Sequence, residues 1–303
     1  MERRYVTLEP CCHHGKTGPC TQAIIQSRIR RVVIGSKDPN PLVCGKGIEL
    51  LRQAGILVTT DVLQEECDRL NTIFFHFIRT KTPYITMKYA MTADGKIATA
   101  AGDSKWITGD KARLHVHQTR HQYSGIMAGV GTVLLDDPLL TCRLPASKNP
   151  LRIICDTHLR TPLKSRLVST AGEIPTLLAT CCTDTGKIQP YLDTGCEVLT
   201  IPSCDGHVDL KVLIRHLGAR GIDSVLLEGG MTLNWSALKA GIVKSIQTYI
   251  APKIVGGAKA KSPIGGEGIQ TLSQAWTLTP ASIQHFGDDL LLESEVVPCS
   301  PES

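Results

Sequence analysis

The sequence predicts an α/β protein built as two successive sheet domains. Short apolar strands alternate with helix-length amphipathic stretches along almost the whole chain, and Thr80-Lys-Thr-Pro83 interrupts that alternation before it restarts with a core of its own. The length is a third observation: 303 residues fit about two domains of roughly 150 residues each. The expected domains are 1–82 and 83–303.

In the first domain, residues 5–8 read as a short strand and 21–28 as a helix opened by Pro19-Cys20, since proline brings a helix-ready φ to a helix start. Residues 31–35 are a continuous apolar run, as expected of a strand covered on both faces. A helix over 48–54 is closed by Gly55, and 56–60 is the next strand. Between the last two strands, Asp38-Pro-Asn-Pro-Leu-Val-Cys-Gly-Lys-Gly47 is loop, because Asp-Pro initiates a turn. A helix over 70–80 carries Phe74, Phe75 and Phe77 and ends before Pro83.

In the second domain, strands are expected over 84–90, 126–129, 151–156, 176–180, 197–201, 224–228, 245–251 and 290–295. Helices are expected over 110–122, where Asp110 sits in the first turn, and over 210–217 and 232–240. Strands and helices interleaved in this way predict a largely parallel sheet with helices on both faces.

A hydrophobic fraction of 42% with 20% charged residues belongs to an ordinary globular chain. No apolar run approaches the roughly 20 residues needed to span a bilayer, and Met1-Glu-Arg-Arg is not followed by a secretion-signal core. The expected location is cytoplasmic, with no membrane partner. The 12 cysteines are too irregularly spaced for a disulfide framework and read mostly as buried free thiols. A net charge of +5, no run of five basic residues and only 4% aromatics argue against a nucleic-acid surface.

Cys11 and Cys20 are the exception among the thiols. They enclose a loop with two imidazoles, a lysine and two glycines, which is a metal-site composition. A catalytic zinc needs three protein ligands and an open position, and zinc deaminases take one ligand from a His-x-Glu segment whose Glu shuttles the proton. No His-x-Glu precedes Cys11, and His13 and His14 read more readily as loop histidines.

Leu8-Glu-Pro-Cys-Cys-His-His-Gly-Lys-Thr-Gly-Pro-Cys20, Asp38-Pro-Asn-Pro41, Gly45-Lys-Gly47 and Ala54-Gly-Ile56 together resemble the deaminase half of the bifunctional riboflavin biosynthesis deaminase/reductase family. Lys88-Tyr-Ala-Met-Thr-Ala-Asp-Gly-Lys96, Ser104-Lys-Trp-Ile-Thr108, Gly129-Val-Gly-Thr-Val133, Asp136-Asp-Pro-Leu-Leu-Thr-Cys-Arg143 and Glu228-Gly-Gly230 resemble its reductase half. The resemblance implies a partial cytidine-deaminase-like α/β/α domain followed by a dihydrofolate-reductase-like α/β domain. It also implies a homo-oligomer. Family members carry a further segment before this point that supplies the first strands and the His-x-Glu helix. The strand at 5–8 would then be an interior strand without its neighbours, and a start recorded too late is the expected explanation.

The implied function is reduction, by NADPH, of the ribosyl group of 5-amino-6-(5-phosphoribosylamino)uracil to a ribityl chain. Zinc-dependent pyrimidine deamination is the family's second activity; without the proton shuttle, ammonia release is not expected of the chain as written. By resemblance, Ala90, Trp106, Thr132, Asp136 and the run Gly230, Met231, Thr232, Leu233, Asn234, Trp235 and Ser236 contact the cofactor. Gly229-Gly230 after a strand and before a helix suits a pyrophosphate on its own chemistry. Ser104, Arg120, Leu140, Arg143 and Glu228 are the implied substrate contacts, with the two arginines as forks for a sugar phosphate. Lys88 is the implied catalytic cation near the carbon that receives hydride, and Cys11 and Cys20 are the implied zinc ligands. The alternatives are a zinc-dependent nucleic-acid base deaminase with an accessory domain and a zinc-binding interaction module. The first needs an intact His-x-Glu and a basic groove, and the second needs metal-dependent folding.

Overall fold

The structure is a computed structural model and describes residues 2–15 and 17–297; Lys16 of the Cys11–Cys20 loop and Cys299 lie outside the described residues. The chain divides into two compact units, Met1–Thr82 and Pro83–Ser303.

The first unit runs β1 (Arg3–Leu8), α1 (Cys20–Gln26), β2 (Arg31–Ser36), α2 (Lys46–Gln53), β3 (Leu57–Thr59), α3 (Gln64–Leu70) and α4 (Thr72–Thr80). The strands form a parallel sheet in the order β1-β2-β3. Central β2 is almost wholly buried, as its unbroken apolar run requires, whereas β1 is an edge strand with Tyr5 66% exposed. Ile24, Val32, Ile34, Ile48, Leu51 and Ile56 make the core of this unit. The helix expected over 70–80 is instead the second of a pair. Asn71 lies between α3 and α4, and its side-chain amide donates to the Cys67 carbonyl (2.8 Å), closing α3 before α4 begins.

The second unit contributes β4 (Tyr84–Thr92), α5 (Asp110–Gln122), β5 (Gly125–Gly129), α6 (Val130–Asp136), β6 (Leu151–Cys155), α7 (Arg166–Ser169), β7 (Thr176–Thr180), α8 (Thr185–Asp193) and β8 (Glu197–Thr200). A short hairpin of β9 (Ser203–Cys204) and β10 (His207–Val208) precedes α9 (Leu210–Ala219), β11 (Ser224–Leu227), α10 (Met231–Lys239), β12 (Val243–Ala251), β13 (Ser282–Phe286) and β14 (Asp289–Glu295). Nine strands form one sheet in the order β13-β14-β12-β4-β11-β5-β6-β7-β8. From β12 to β8 all neighbours are parallel, and β14 and β13 extend the sheet antiparallel.

Successive residues of the inner strands point to opposite faces, and both faces are buried. Ile153 joins a core with Met87, Leu177 and Leu227, while its neighbour Ile154 joins another with Ile126, Leu167 and Leu178. Arg152, fully buried, lies one residue before Ile153. Its guanidinium donates to Thr170 Oγ1 (2.8 Å), Thr176 Oγ1 (2.9 Å from Nε) and the carbonyls of Leu167 (3.0 Å) and Ile174 (2.9 Å), stitching β6 to β7 and α7.

Candidate active site

A cavity of about 670 Å³ opens in the second unit where β4, β11, β5 and β6 deliver their C-terminal ends or the loops beyond them. Lys88 and Ala90 reach it from β4, Glu228 to Ser236 from the β11–α10 junction, Gly129 to Thr132 from the start of α6, and Cys155 to Arg160 from the β6 loop. Parallel strands end on the same side of the sheet, so residues more than 100 positions apart in sequence meet here.

One end of the cavity is an ionic centre. Arg120, on α5, donates Nε to Glu228 Oε1 (2.6 Å) and its NH2 nitrogen to Oε2 (2.8 Å), a two-pronged pair, and a third nitrogen donates to the Thr141 carbonyl (3.0 Å). The Lys88 ammonium lies 3.7 Å from Glu228 Oε2 and 5.7 Å from the centre of the Tyr249 ring. Burial alone would raise the Glu228 pKa, but Arg120 and Lys88 outweigh it and hold the carboxyl at about 2. Burial pulls the Lys88 pKa down and Glu228 opposes it. His117, one turn from Arg120 on the same helix, is driven down to about 4 by burial and by Arg120 and Arg143. It is therefore neutral at physiological pH and accepts a hydrogen bond from Arg143 Nε (3.2 Å).

The middle of the cavity is the N-terminus of α10. Gly229 and Gly230 both have positive φ (37° and 99°), and a side chain on Gly229 would collide with Asn234. The loop is pinned from behind, because Gly129 N–H and Thr132 Oγ1 both donate to the Gly229 carbonyl (3.1 Å each). No side chain caps α10, so its first-turn N–H groups lack intrahelical partners and face the cavity that Met231, Thr232 and Leu233 line. These features fit the anionic bridge of a dinucleotide.

Twelve of the residues expected from the sequence line this cavity: Lys88, Ala90, Ser104, Thr132, Asp136, Glu228, Gly230, Met231, Thr232, Leu233, Asn234 and Ser236. Asp136 is paired with Lys105 at 4.0 Å. The other five are placed differently. Trp235 turns away from the cavity, meeting Trp276 edge-on with ring centres 5.6 Å apart. Trp106 stands 60% exposed under the Arg113 guanidinium, 4.5 Å from its ring centre. Leu140 is in the core with Ile126 and Ile154. Arg120, expected as a fork for phosphate, has its fork on Glu228, and Arg143 leans on His117. Sequence pattern gave no notice of His117, His158, Arg160 or His207. The one available signal was the position of His158 and Arg160 just past the strand expected at 151–156.

In the first unit the Cys20 N–H donates to Cys11 Sγ (3.3 Å), and hydrogen bonding from Cys11, followed by burial, raises the Cys20 pKa. Glu9, beside them in sequence, is buried and fully engaged, accepting from the backbone N–H groups of Asp38 (3.3 Å), Gly45 (3.0 Å) and Ile48 (3.2 Å). Among the described residues no three His, Cys, Asp or Glu side chains gather as a metal site. Two thiols without a third ligand or a free carboxylate do not fit a catalytic zinc.

A family model described as the RibD C-terminal domain matches residues 83–292. The riboflavin biosynthesis protein RibD of Actinobacillus pleuropneumoniae is 57% identical over 293 residues, covering 97% of this chain and 78% of that protein. The protein of the same name from Bacillus amyloliquefaciens is 44% identical over 290 residues, covering 95% of this chain and 77% of that one. A solved diaminohydroxyphosphoribosylaminopyrimidine deaminase/5-amino-6-(5-phosphoribosylamino)uracil reductase from Thermotoga maritima superposes with a TM-score of 0.83 at 36% identity, over 96% of this chain and 79% of that one. These likenesses agree with the fold expected from sequence and do not favour a nucleic-acid base deaminase.

Proposed function

This chain belongs to the RibD family of riboflavin biosynthesis proteins, and from that premise we propose that residues 83–303 reduce 5-amino-6-(5-phosphoribosylamino)uracil to its ribitylamino product with NADPH. The observation that carries the reading is a single cavity with a buried Lys88–Glu228–Arg120 centre at one end and the uncapped N-terminus of α10 beside it. A nicotinamide, when bound, supplies the hydride.

The chain's own residues do the rest. Lys88 presents an ammonium to the sugar carbon that accepts hydride and stabilises negative charge developing on the heteroatom attached to it. Glu228 holds that ammonium charged and aimed; with Arg120 on two of its roughly four lone-pair positions, it keeps acceptor capacity for a pyrimidine N–H. The Gly229-Gly230 turn and the first turn of α10 hold the cofactor's diphosphate, and Ala90, Thr132, Asp136 and Ser236 line its path. Ser104 and Arg143 are the remaining substrate contacts in this reading.

Residues 1–82 correspond to the family's deaminase half, and because Cys11 and Cys20 do not by themselves fit a catalytic zinc, no catalytic step is assigned to them. The test is loss of NADPH absorbance when the purified chain meets 5-amino-6-(5-phosphoribosylamino)uracil. Turnover is expected, and an enzyme that leaves NADPH untouched with this substrate would sink the reading. Light scattering on the same sample tests the homo-oligomer that the family implies.

A further inference from the structure

Tyr249, on β12, is fully buried, and its ring is fixed from more than one direction. Its hydroxyl is hydrogen-bonded to His115 Nδ1 of α5 (2.7 Å), and the His115 ring stacks on Phe286 of β13 with centres 4.3 Å apart. Ala112 and Val116 of α5 and Leu291 of β14 pack around it. Tyr249 stands in register with Ala90 of β4, two residues beyond Lys88, so it and Lys88 share one face of the sheet. The outcome is the 5.7 Å approach of the Lys88 ammonium to the centre of the Tyr249 ring.

The surroundings of the ammonium show what a ring face does there. The Lys88 side chain is only 14% exposed, and burial pulls its pKa down. Glu228, just past β11, opposes this, but its carboxylate is shared. Arg120 of α5 takes both oxygens at 2.6 and 2.8 Å, which leaves Lys88 an ion pair at 3.7 Å, and Arg120 also repels the ammonium. His117 of the same helix is neutral, and Gln247, in register with Lys88 on β12, gives its amide N–H to Glu293 Oε1 of β14 (2.8 Å). Burial raises the Tyr249 pKa, so the phenol stays neutral. Its π face is then the second attractive group against the ammonium, after Glu228.

A cation withdrawn from water over an aromatic face is attracted by the ring quadrupole. Unlike a second carboxylate, the face neither claims a particular N–H nor accepts the proton. The ammonium donors that Glu228 does not use therefore stay available to an atom that gains negative charge.

We propose that Tyr249 is a positioning residue for the reduction: the face of its ring holds the Lys88 ammonium beside Glu228, aimed at the carbon that receives hydride. This rests on the reading of Lys88 as the cation of the hydride step. Tyr249 acts through Lys88 and transfers no proton itself.

The test is the pH dependence of kcat and KM for NADPH oxidation by the full chain with 5-amino-6-(5-phosphoribosylamino)uracil. The chains compared are the wild type, Tyr249→Leu, Tyr249→Phe, and variants with difluoro- or pentafluorophenylalanine in place of Tyr249. Fluorine draws electron density from the ring face while keeping the ring's shape, so it weakens the attraction without opening the core. Tyr249→Leu is expected to lower kcat about tenfold and to move the alkaline limb of kcat down by about one pH unit, with both KM values within about twofold of wild type. Tyr249→Phe should recover most of kcat and the wild-type limb, although it loses the hydrogen bond to His115 and some thermal stability. The fluorinated rings should move the limb down in step with their fluorine content, at the melting temperature of Tyr249→Phe. Should Tyr249→Leu fail to fold, the fluorinated series decides alone. A limb that stays in place across that series, a Tyr249→Phe variant as slow as Tyr249→Leu, or a loss confined to KM would overturn the assignment while leaving Lys88 in its role. Wild-type kcat in Lys88→Met would remove Lys88 from the hydride step, and the assignment with it.

Discussion

Glu228 is the side chain on which the proposed chemistry turns, because Arg120 and Lys88 are both paired with it. Glu228→Gln would set an amide N–H₂ against two cationic donors. A fall in kcat of about 10²- to 10³-fold is expected, comparable to losing a preorganised electrostatic group; a variant within about threefold of wild type would show that the carboxylate is dispensable. His117 carries the pH prediction. Its folded pKa of about 4 lies below the ordinary histidine value, so between the two the unfolded chain binds more protons. Stability should therefore fall as pH drops from about 6.5 toward 4, with the loss complete only below the folded value. The same titration followed by NMR should show the ring neutral throughout the physiological range, and a midpoint near 6.5 would contradict the burial described. Residue types in the site were legible in the sequence where motif and position coincide, as at Lys88, Glu228 and Gly230. Side-chain direction was not. Trp235 lies one position from cavity-lining Asn234 and Ser236, and only the three-dimensional path of α10 turns it toward Trp276.

At the scale of elements, Arg152 shows how a charged residue can hold a sheet together from within. Its carbonyl and hydroxyl partners on α7, in the loop after it and at the start of β7 lie in or beside the core, and Arg152→Met would remove the charged donor they share, leaving the Ile174 and Leu167 carbonyls only the hydroxyls of Thr176 and Thr170. Each lost hydrogen bond from a charged donor is worth about 1.5–3 kcal/mol, so a loss of at least about 3 kcal/mol is expected in urea unfolding; a loss under about 1 kcal/mol would mean that water or neighbouring groups replace the guanidinium. Strands were well read from the sequence because the inner ones are apolar on both faces, and α5 falls at the expected residues, Asp110–Gln122. What escaped notice has physical reasons. α8 contains Pro190, which reads as a breaker, although Asp184 caps the helix through Gly186 and Lys187 N–H and the proline is accommodated. α6 is only seven residues and follows β5 without a loop, so its apolar residues look like more strand. β13 is a largely exposed edge strand whose pairing with β14 is nowhere signalled by hydrophobic alternation.

At the scale of the whole molecule, the strand that carries Lys88 has both sheet neighbours far away in the chain. Tyr84 of β4 pairs with Ser224 of β11, and Lys88 pairs with Gln247 of β12. Contacts this remote make closure slow, because the intervening loop entropy must be overcome first. During synthesis from the N-terminus, β4 leaves the ribosome first of the reductase strands and waits through some 140 residues for its first partner. A chain stopped after Ala240 lacks β12, and limited proteolysis should cleave it within residues 84–92 as readily as an unfolded chain; protection there would show that β11 alone secures the strand. Lys88 thus sits between two strands made some 140 or more residues later, so an unfinished polypeptide that lacks β11 and α10 has no formed cavity in which a reactive sugar phosphate or a reduced cofactor could be held.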